Sequence, residues 1–293
     1  MTVAVGYLAG KCGTSPLYLA VEAAKTLKTS LTVVTVVPRP WMTPSLGRID
    51  AEYAQYAEQL AANSAKQAQE CIDSIASGLE VNYHKVVHRS ASGGLLEAAG
   101  ELEPEVLILG SAPDGKLGQV VVGSTADRLL HSSPVPMAIS PRGYRGSKAG
   151  GLTRITAAYP GTPEARHVVE RVAVLADRLG VPMRVVTFAV RGRTMYPPEV
   201  GLRAEDSILE QLASHARETL AQLKTDGVVG EDVEVRVVTG NGWDDALDDA
   251  EWQDGDLLAI GTSPVGGIAR VFLGSRGSKI LRHSPVPVLV LPG

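Results

Sequence analysis

The chain is poor in aromatic residues, sulphur and positive charge, and each shortage excludes something. Phe, Tyr and Trp make up 4% of the 293 residues, so a core must be built from Val, Leu, Ile and Ala, the mix of buried parallel strands under Ala-rich helices. The two cysteines, Cys12 and Cys71, stand in no CxxC or histidine-associated spacing and fall in apolar helix patterns. They read as buried free thiols of a reducing cytosol, not as a disulfide framework. Lysine and arginine number 28 against 32 acidic residues, a net charge of −4. Neither half carries the basic excess that binding a phosphate backbone requires. No apolar run approaches the ~18 residues of a membrane span, and the first lysine, Lys11, follows the apolar N-terminal stretch where a secretory signal would have it precede. The expectation is a cytoplasmic protein that partners neither nucleic acid nor membrane.

What is present is a normal globular composition, 44% hydrophobic and 20% charged, sufficient for ordered cores. At ~150 residues per domain, the length suggests two of them. A repeat supports this: Val106 to Pro141 aligns without a gap on Leu257 to Pro292, with identities that include Gly110, Pro113, Gly115, Val120, Gly123, Ser124, Leu130, Ser133, Pro134, Val135, Pro136 and Pro141. The chain is two copies of one unit.

Each copy alternates strand and helix patterns. In copy one the strands fall at Val3 to Tyr7, Leu31 to Val37, Val81 to Val87, Val106 to Leu109 and Pro136 to Ser140, with helices at Ser15 to Lys28, Asp50 to Ala76, Gly93 to Glu101 and Ser124 to His131. Copy two repeats the order, with strands at Ile155 to Tyr159, Met183 to Val190, Val233 to Val238, Leu257 to Ile260 and Val286 to Val290. Its helices fall at Pro163 to Leu179, Ala204 to Leu223, Trp243 to Ala250 and Ser275 to Arg282. Such alternation predicts an α/β fold of two tandem doubly wound, five-stranded parallel sheets with helices on both faces. The domains expected are 1–143 and 152–293, separated by the polar, glycine-rich segment RGYRGSKAGG.

In an open parallel sheet, ligands bind beyond the carboxyl ends of the strands where the strand order reverses. After the fourth strand each copy has a glycine loop returning to a Gly-Ser pair: Gly110 through Gly123-Ser124-Thr125, and Gly261 through Gly274-Ser275-Arg276. Glycines let a backbone approach closely, and free amides with a positive helix end favour a phosphate. The competing reading is a serine N-cap over a tight turn.

The pattern of strand, Gly-x2-Gly-x9-Gly-Ser/Thr, helix and proline-flanked strand resembles the universal stress protein family. The tail GSRGSKILRHSPVPVLVLP is similar to that family's C-terminal signature. The resemblance covers both halves. It implies adenine nucleotide alpha hydrolase-like domains related by a pseudo-two-fold axis as an internal dimer, with a further homodimer as an option. It also implies a non-enzymatic stress-response module whose glycine loops hold ATP, with Mg arriving only with the nucleotide. The residues so implicated are Gly110, Gly123, Ser124 and Thr125, and Gly261, Gly274, Ser275 and Arg276. The ends of the second strands, Val36 and Val37 or Phe188 and Ala189, would face adenine. Two departures run against this. The motif's second glycine is Pro113 in one copy and Pro264 in the other, each removing an amide donor, with Gly115 and Gly266 as the candidate compensation. The family's aspartate after the first strand is also missing, copy one reading Val5-Gly-Tyr-Leu-Ala-Gly10 and copy two Ala158-Tyr-Pro160-Gly161-Thr162. The alternative is a structural or protein-interaction module with vestigial nucleotide sites.

Other patterns carry less. Gly110-x4-Gly115-Lys116 is a near miss to a P-loop, with Leu117 where a Ser or Thr belongs. Ser92-Gly93-Gly94 lacks the continuation of a pyrophosphate loop. His84 and His88 have helical zinc spacing but lie on a strand. His131 and His283 suit helix C-termini, and the acidic stretch Asp244, Asp245, Asp248 and Asp249 reads as a solvated face. No nucleophile elbow or carboxylate pair is seen.

Overall fold

The computed structural model describes residues 2–39, 47–190, 198–264 and 271–292. It divides into two compact units, Met1–Gly151 and Leu152–Leu291, called domain 1 and domain 2 below.

Domain 1 runs β1 (Thr2–Gly6), α1 (Ser15–Leu27), β2 (Ser30–Pro38), α2 (Gly47–Ile75), β3 (Val81–His88), α3 (Ala91–Leu102), β4 (Val106–Gly110), α4 (Ser124–Leu130) and β5 (Met137–Ser140). Its strands order as β3-β2-β1-β4-β5 and are all parallel, with Val3 facing Leu31 on one side and Val106 on the other. The strand order reverses at β1 and β4, which fixes where a ligand cleft opens. The central strands are nearly continuous apolar runs because both faces are covered. Val3, Val5, Leu31, Leu107, Ile108 and Ile139 are all buried, each contributing roughly 1.5–3 kcal/mol of transfer free energy. Local signals end the helices as chemistry requires: Lys28 closes α1 in the left-handed region at φ 52°, and the Ser90 hydroxyl accepts from the Gly93 amide at the start of α3.

Domain 2 runs β6 (Arg154–Ala158), a 3-10 turn (Pro163–Ala165), α5 (Arg166–Leu179), β7 (Met183–Val190), α6 (Pro198–Thr225), β8 (Glu234–Gly240), α7 (Trp243–Asp248), β9 (Asp256–Gly261), β10 (Ser263–Pro264), β11 (Val271–Phe272), α8 (Ser275–His283) and β12 (Val288–Leu291). Within it the order β8-β7-β6-β9-β12 repeats the parallel arrangement of domain 1. Two details differ from the sequence reading. The helix expected from Pro163 opens as a 3-10 turn before α5 begins, the tighter winding common at helix starts. The loop after β9 also contains the short antiparallel pair β10 and β11, too brief for a periodicity to reveal.

Candidate functional site

A cleft of about 960 Å³ opens in domain 1 at the carboxyl ends of β1, β2 and β4, the upper end of the ~300–1,000 Å³ usual for small-ligand sites. All four residues singled out in this half, Gly110, Gly123, Ser124 and Thr125, line it. Gly110 ends β4 so close to α1 that a Cβ would lie 3.1 Å from Pro16, and glycine is what lets the strand end there.

The loop between Gly110 and Gly123 is stitched shut. Ala112 donates to Val121 O at 2.8 Å, while the Ser111 hydroxyl donates to Ser140 O at 2.7 Å and accepts from the Val121 amide at 2.9 Å. Gly115 does not compensate for Pro113 as the sequence reading suggested. It is absent from the cleft lining, a Cβ there would lie 1.9 Å from Val121 Cγ2, and its carbonyl accepts from Arg142 Nη1. Its glycine serves the loop's own packing. The serine-cap reading is also corrected. Gly123 is the N-cap, no side chain caps α4, and Ser124 is the first helical residue, exposed at the cleft. With only seven residues, α4 contributes little macrodipole, so any attraction for an anion there rests mainly on side chains.

Those side chains are Lys11, Arg142 and Arg145, set against one lining carboxylate, Asp114. Arg145 Nη1 donates to Thr14 Oγ1 at 2.9 Å and its guanidinium lies 5.5 Å from the centroid of the Tyr18 ring. Tyr7 follows β1 and lines the cleft. It is buried, its amide donates to Val34 O at 3.0 Å, and burial, helped by the nearby Cys12 and Cys71 thiols, pushes its phenol above the usual range. Cys12, expected to be a buried helical thiol, is exposed in the turn before α1 and lines the cleft. The amides of Lys11 and Cys12 both donate to Leu8 O, closing a turn through Gly10 at φ 73° that the apolar pattern of the neighbouring helix concealed. Val36 lines the cleft, whereas Val37 points into the core, 1% exposed, as strand alternation dictates.

Domain 2 is built on the same register but finished differently. Tyr159 follows β6 as Tyr7 follows β1, and its amide donates to Val186 O at 2.8 Å. Gly261 ends β9, and a Cβ there would lie 2.2 Å from Val168 Cγ2 of α5. Gly274 caps α8, with Ser275 and Arg276 exposed beside it. Residues 265–270, including Gly266 and Gly267, lie outside the described part, so the loop that would bring Gly261 and the α8 start to one ligand is not described. Where Val36 and Ala91 line the cleft of domain 1, the equivalent positions of domain 2 are Phe188 and Trp243, whose rings meet at 6.5 Å and 49°. Ala189 is buried.

The four histidines singled out in the sequence have structural neighbours. His84 Nε2 lies 3.2 Å from Glu101, His88 Nδ1 sits against Ser90 at the α3 start, and His131 is the C-cap of α4. His283 meets Asp244 at 2.7 Å, so one member of the acidic stretch has a partner beyond solvent. Among the described residues no group of three His, Cys, Asp or Glu side chains could hold a metal ion, and no helix is long and apolar enough to cross a membrane. Sequence reasoning missed Arg142 and Arg145, which it assigned to a linker; two arginines directly after β5 were the available signal.

A doubly wound α/β unit, repeated in tandem, with a cleft in domain 1 at the strand-order reversal, places the chain in the class of open parallel-sheet proteins. The family model for the universal stress protein family matches residues 1–141 and again 151–292, and the chain belongs to that family. Universal stress proteins of Mycobacterium tuberculosis and Mycobacterium bovis are 62% identical to it over 293 residues, covering 100% of both chains. One from Synechocystis is 23% identical over 219 residues, 70% of this chain and 64% of its own. A universal stress protein from Archaeoglobus fulgidus superposes with TM-score 0.63 at 16% identity, covering 99% of this chain and 98% of that one, a likeness of fold.

Proposed function

We propose that this tandem universal stress protein is a non-enzymatic regulatory module of the cytoplasm, with domains at 1–143 and 152–293, whose domain 1 binds an adenine nucleotide such as ATP. The observation that carries the reading is the domain 1 cleft itself: Gly110, Gly123, Ser124 and Thr125 line a nucleotide-sized space together with three cations. The phosphates lie along the glycine loop, and the base lies toward Val36 and Ala91. Mg arrives with the phosphates, and Asp114 is the carboxylate lining the cleft. On this reading occupancy, not turnover, is the signal, and its readers are protein partners or a second copy of the chain.

A second reading applies to domain 2 and rests on the Phe188 and Trp243 rings. There Gly261, Gly274, Ser275 and Arg276 form an accessory site filled at its adenine end, and the domain acts as an interaction module. Calorimetric titration of ATP with Mg into the full chain tests both readings. One equivalent of saturable heat, lost in Gly123→Val and kept in Gly274→Val, is the expected outcome. Heat unaffected by Gly123→Val overturns the assignment to domain 1.

A further inference from the structure

The glycine loop of domain 1 has Pro113 where an amide donor could stand, and β1 is followed by Tyr7 instead of a carboxylate. What the cleft has instead is positive charge, and two of its three cations come from outside the sheet-and-helix body. Arg142 and Arg145 belong to the segment after β5 that leads toward domain 2.

That segment is not a loose tether. The carboxylate of Glu22 on α1, only 4% exposed, accepts from the Tyr144 hydroxyl at 2.6 Å and from the Ser147 amide. Arg142 exchanges backbone hydrogen bonds with the glycine loop, donating to Gln119 O at 3.0 Å while its carbonyl accepts from Gly118 at 2.8 Å. The two guanidinium groups are thus set one against the glycine loop, at Gly115 O, and one against the turn before α1, at Thr14 Oγ1. Both of these acceptors are neutral. Among the described residues no carboxylate holds either arginine, so a phosphate oxygen, a stronger partner for a guanidinium than a carbonyl or hydroxyl, displaces them without leaving a buried charge unpaired.

We propose that Arg142 and Arg145 recognise the anionic, oligophosphate end of the ligand of domain 1, so that the segment joining the domains is part of the binding site. This rests on the nucleotide reading above only for the identity of the base. The number of phosphates is what the arginines read: adenosine leaves them idle, AMP engages them partly and ATP fully.

Calorimetry with adenosine, AMP, ATP and inorganic tripolyphosphate tests this on the full-length wild type and on Arg142→Lys, Arg142→Ala and Arg145→Ala, with circular dichroism melts to confirm folding. Each alanine variant is expected to lose about 10- to 100-fold in ATP and tripolyphosphate affinity while adenosine affinity is unchanged, with Arg142→Lys intermediate. If the wild type binds ATP and the variants bind it equally well, the proposal is overturned and the nucleotide reading stands. If tripolyphosphate binds and weakens in the variants while ATP and adenosine show no added affinity from the base, the adenine reading falls and this proposal stands. Absence of binding by all four compounds overturns both.

Discussion

Domains 1 and 2 share strand order, a tyrosine after the first strand and glycines at both ends of the loop after the fourth, yet they diverge at both ends of the sheet. At the carboxyl end, Val36 and Ala91 leave a cleft in domain 1, whereas Phe188 and Trp243 bring two rings together in domain 2. At the opposite end, domain 1 pairs two hydroxyls, Thr2 and Thr32, at 2.9 Å. In the same places domain 2 has Arg154 and Arg184. Arg154 is bound to the buried Asp256 at 2.6 and 2.9 Å. Arg184 is 1% exposed, held by Thr156 and Ala250 O and lying 5.3 Å from the Trp252 ring centroid. The difference teaches that the repeated motif marks the fold, while the duty of each copy is set by non-repeated side chains around it.

The largest expected effect lies in this charged cluster. Removing one partner of a buried ion pair strands the other, at ~3–5 kcal/mol. Asp256→Ala should therefore lower the stability of domain 2 by that amount, while Thr2→Ala at the matching site of domain 1 costs about 1 kcal/mol. Urea unfolding followed by peptide-resolved hydrogen exchange separates the domains. Equal losses from the two substitutions would erase the contrast.

Next in size is an exchange of the aromatic filling. Val36→Phe with Ala91→Trp should close the domain 1 cleft and weaken ATP binding about 100-fold, roughly 2.7 kcal/mol, with little change in melting temperature. The reverse pair, Phe188→Val with Trp243→Ala, should open domain 2 at a cost in stability and create a second binding event. Undiminished binding in the filled variant would show that the base lies elsewhere.

How much of this could be read in advance follows from the kind of signal involved. Strands such as Leu31 to Val37 were legible because burial on both faces forces an unbroken apolar run, and the repeat showed that both halves carry the same succession of elements. The four lining residues of domain 1 were legible through the resemblance to the universal stress protein family, whose glycine loop follows the fourth strand and returns to a Gly-Ser pair. The rest depended on side chains distant in sequence. Nothing in RGYRGSKAGG announces that Glu22 anchors it, since that contact spans 122 residues to Tyr144. The meeting of Phe188 with Trp243 likewise appears only once β7 lies beside β8. Gly115 misled because a glycine demanded by Val121 looks in sequence like one demanded by a phosphate.

The glycines ending β4 and β9 give a smaller contrast. A Cβ at Gly261 would stand 2.2 Å from Val168 Cγ2, whereas at Gly110 it would stand 3.1 Å from Pro16. Gly261→Ala should cost ~1–3 kcal/mol through overpacking, and Gly110→Ala less than about 1 kcal/mol, though the latter intrudes on the cleft. Denaturant midpoints rank them, and a reversed ranking would mean that α1 is held more rigidly than α5.

The smallest expected effect is a pH dependence of opposite sign in the two domains. In domain 1 burial raises the Tyr7 phenol above its ordinary 10.0, so the folded state keeps a proton that the unfolded chain releases. Its contribution is fully present below that value and is lost as the pH climbs beyond it. In domain 2 Asp226 is held below its ordinary 3.8 by Gln222 and by Arg166, the latter at 2.5 Å, and Glu251 is held below 4.5 by Arg236. Those contributions are present above the ordinary values and vanish as the pH falls through the depressed ones. Both carboxylates are exposed, so solvent screening keeps the effect slight. Urea midpoints measured from acid to alkaline pH should therefore fall at both ends, with Asp226→Asn flattening only the acid limb and Tyr7→Phe only the alkaline one. If Tyr7→Phe leaves the alkaline limb unchanged, the phenol behind β1 ionises in the folded protein and the wall of the domain 1 cleft is wetter than its burial indicates.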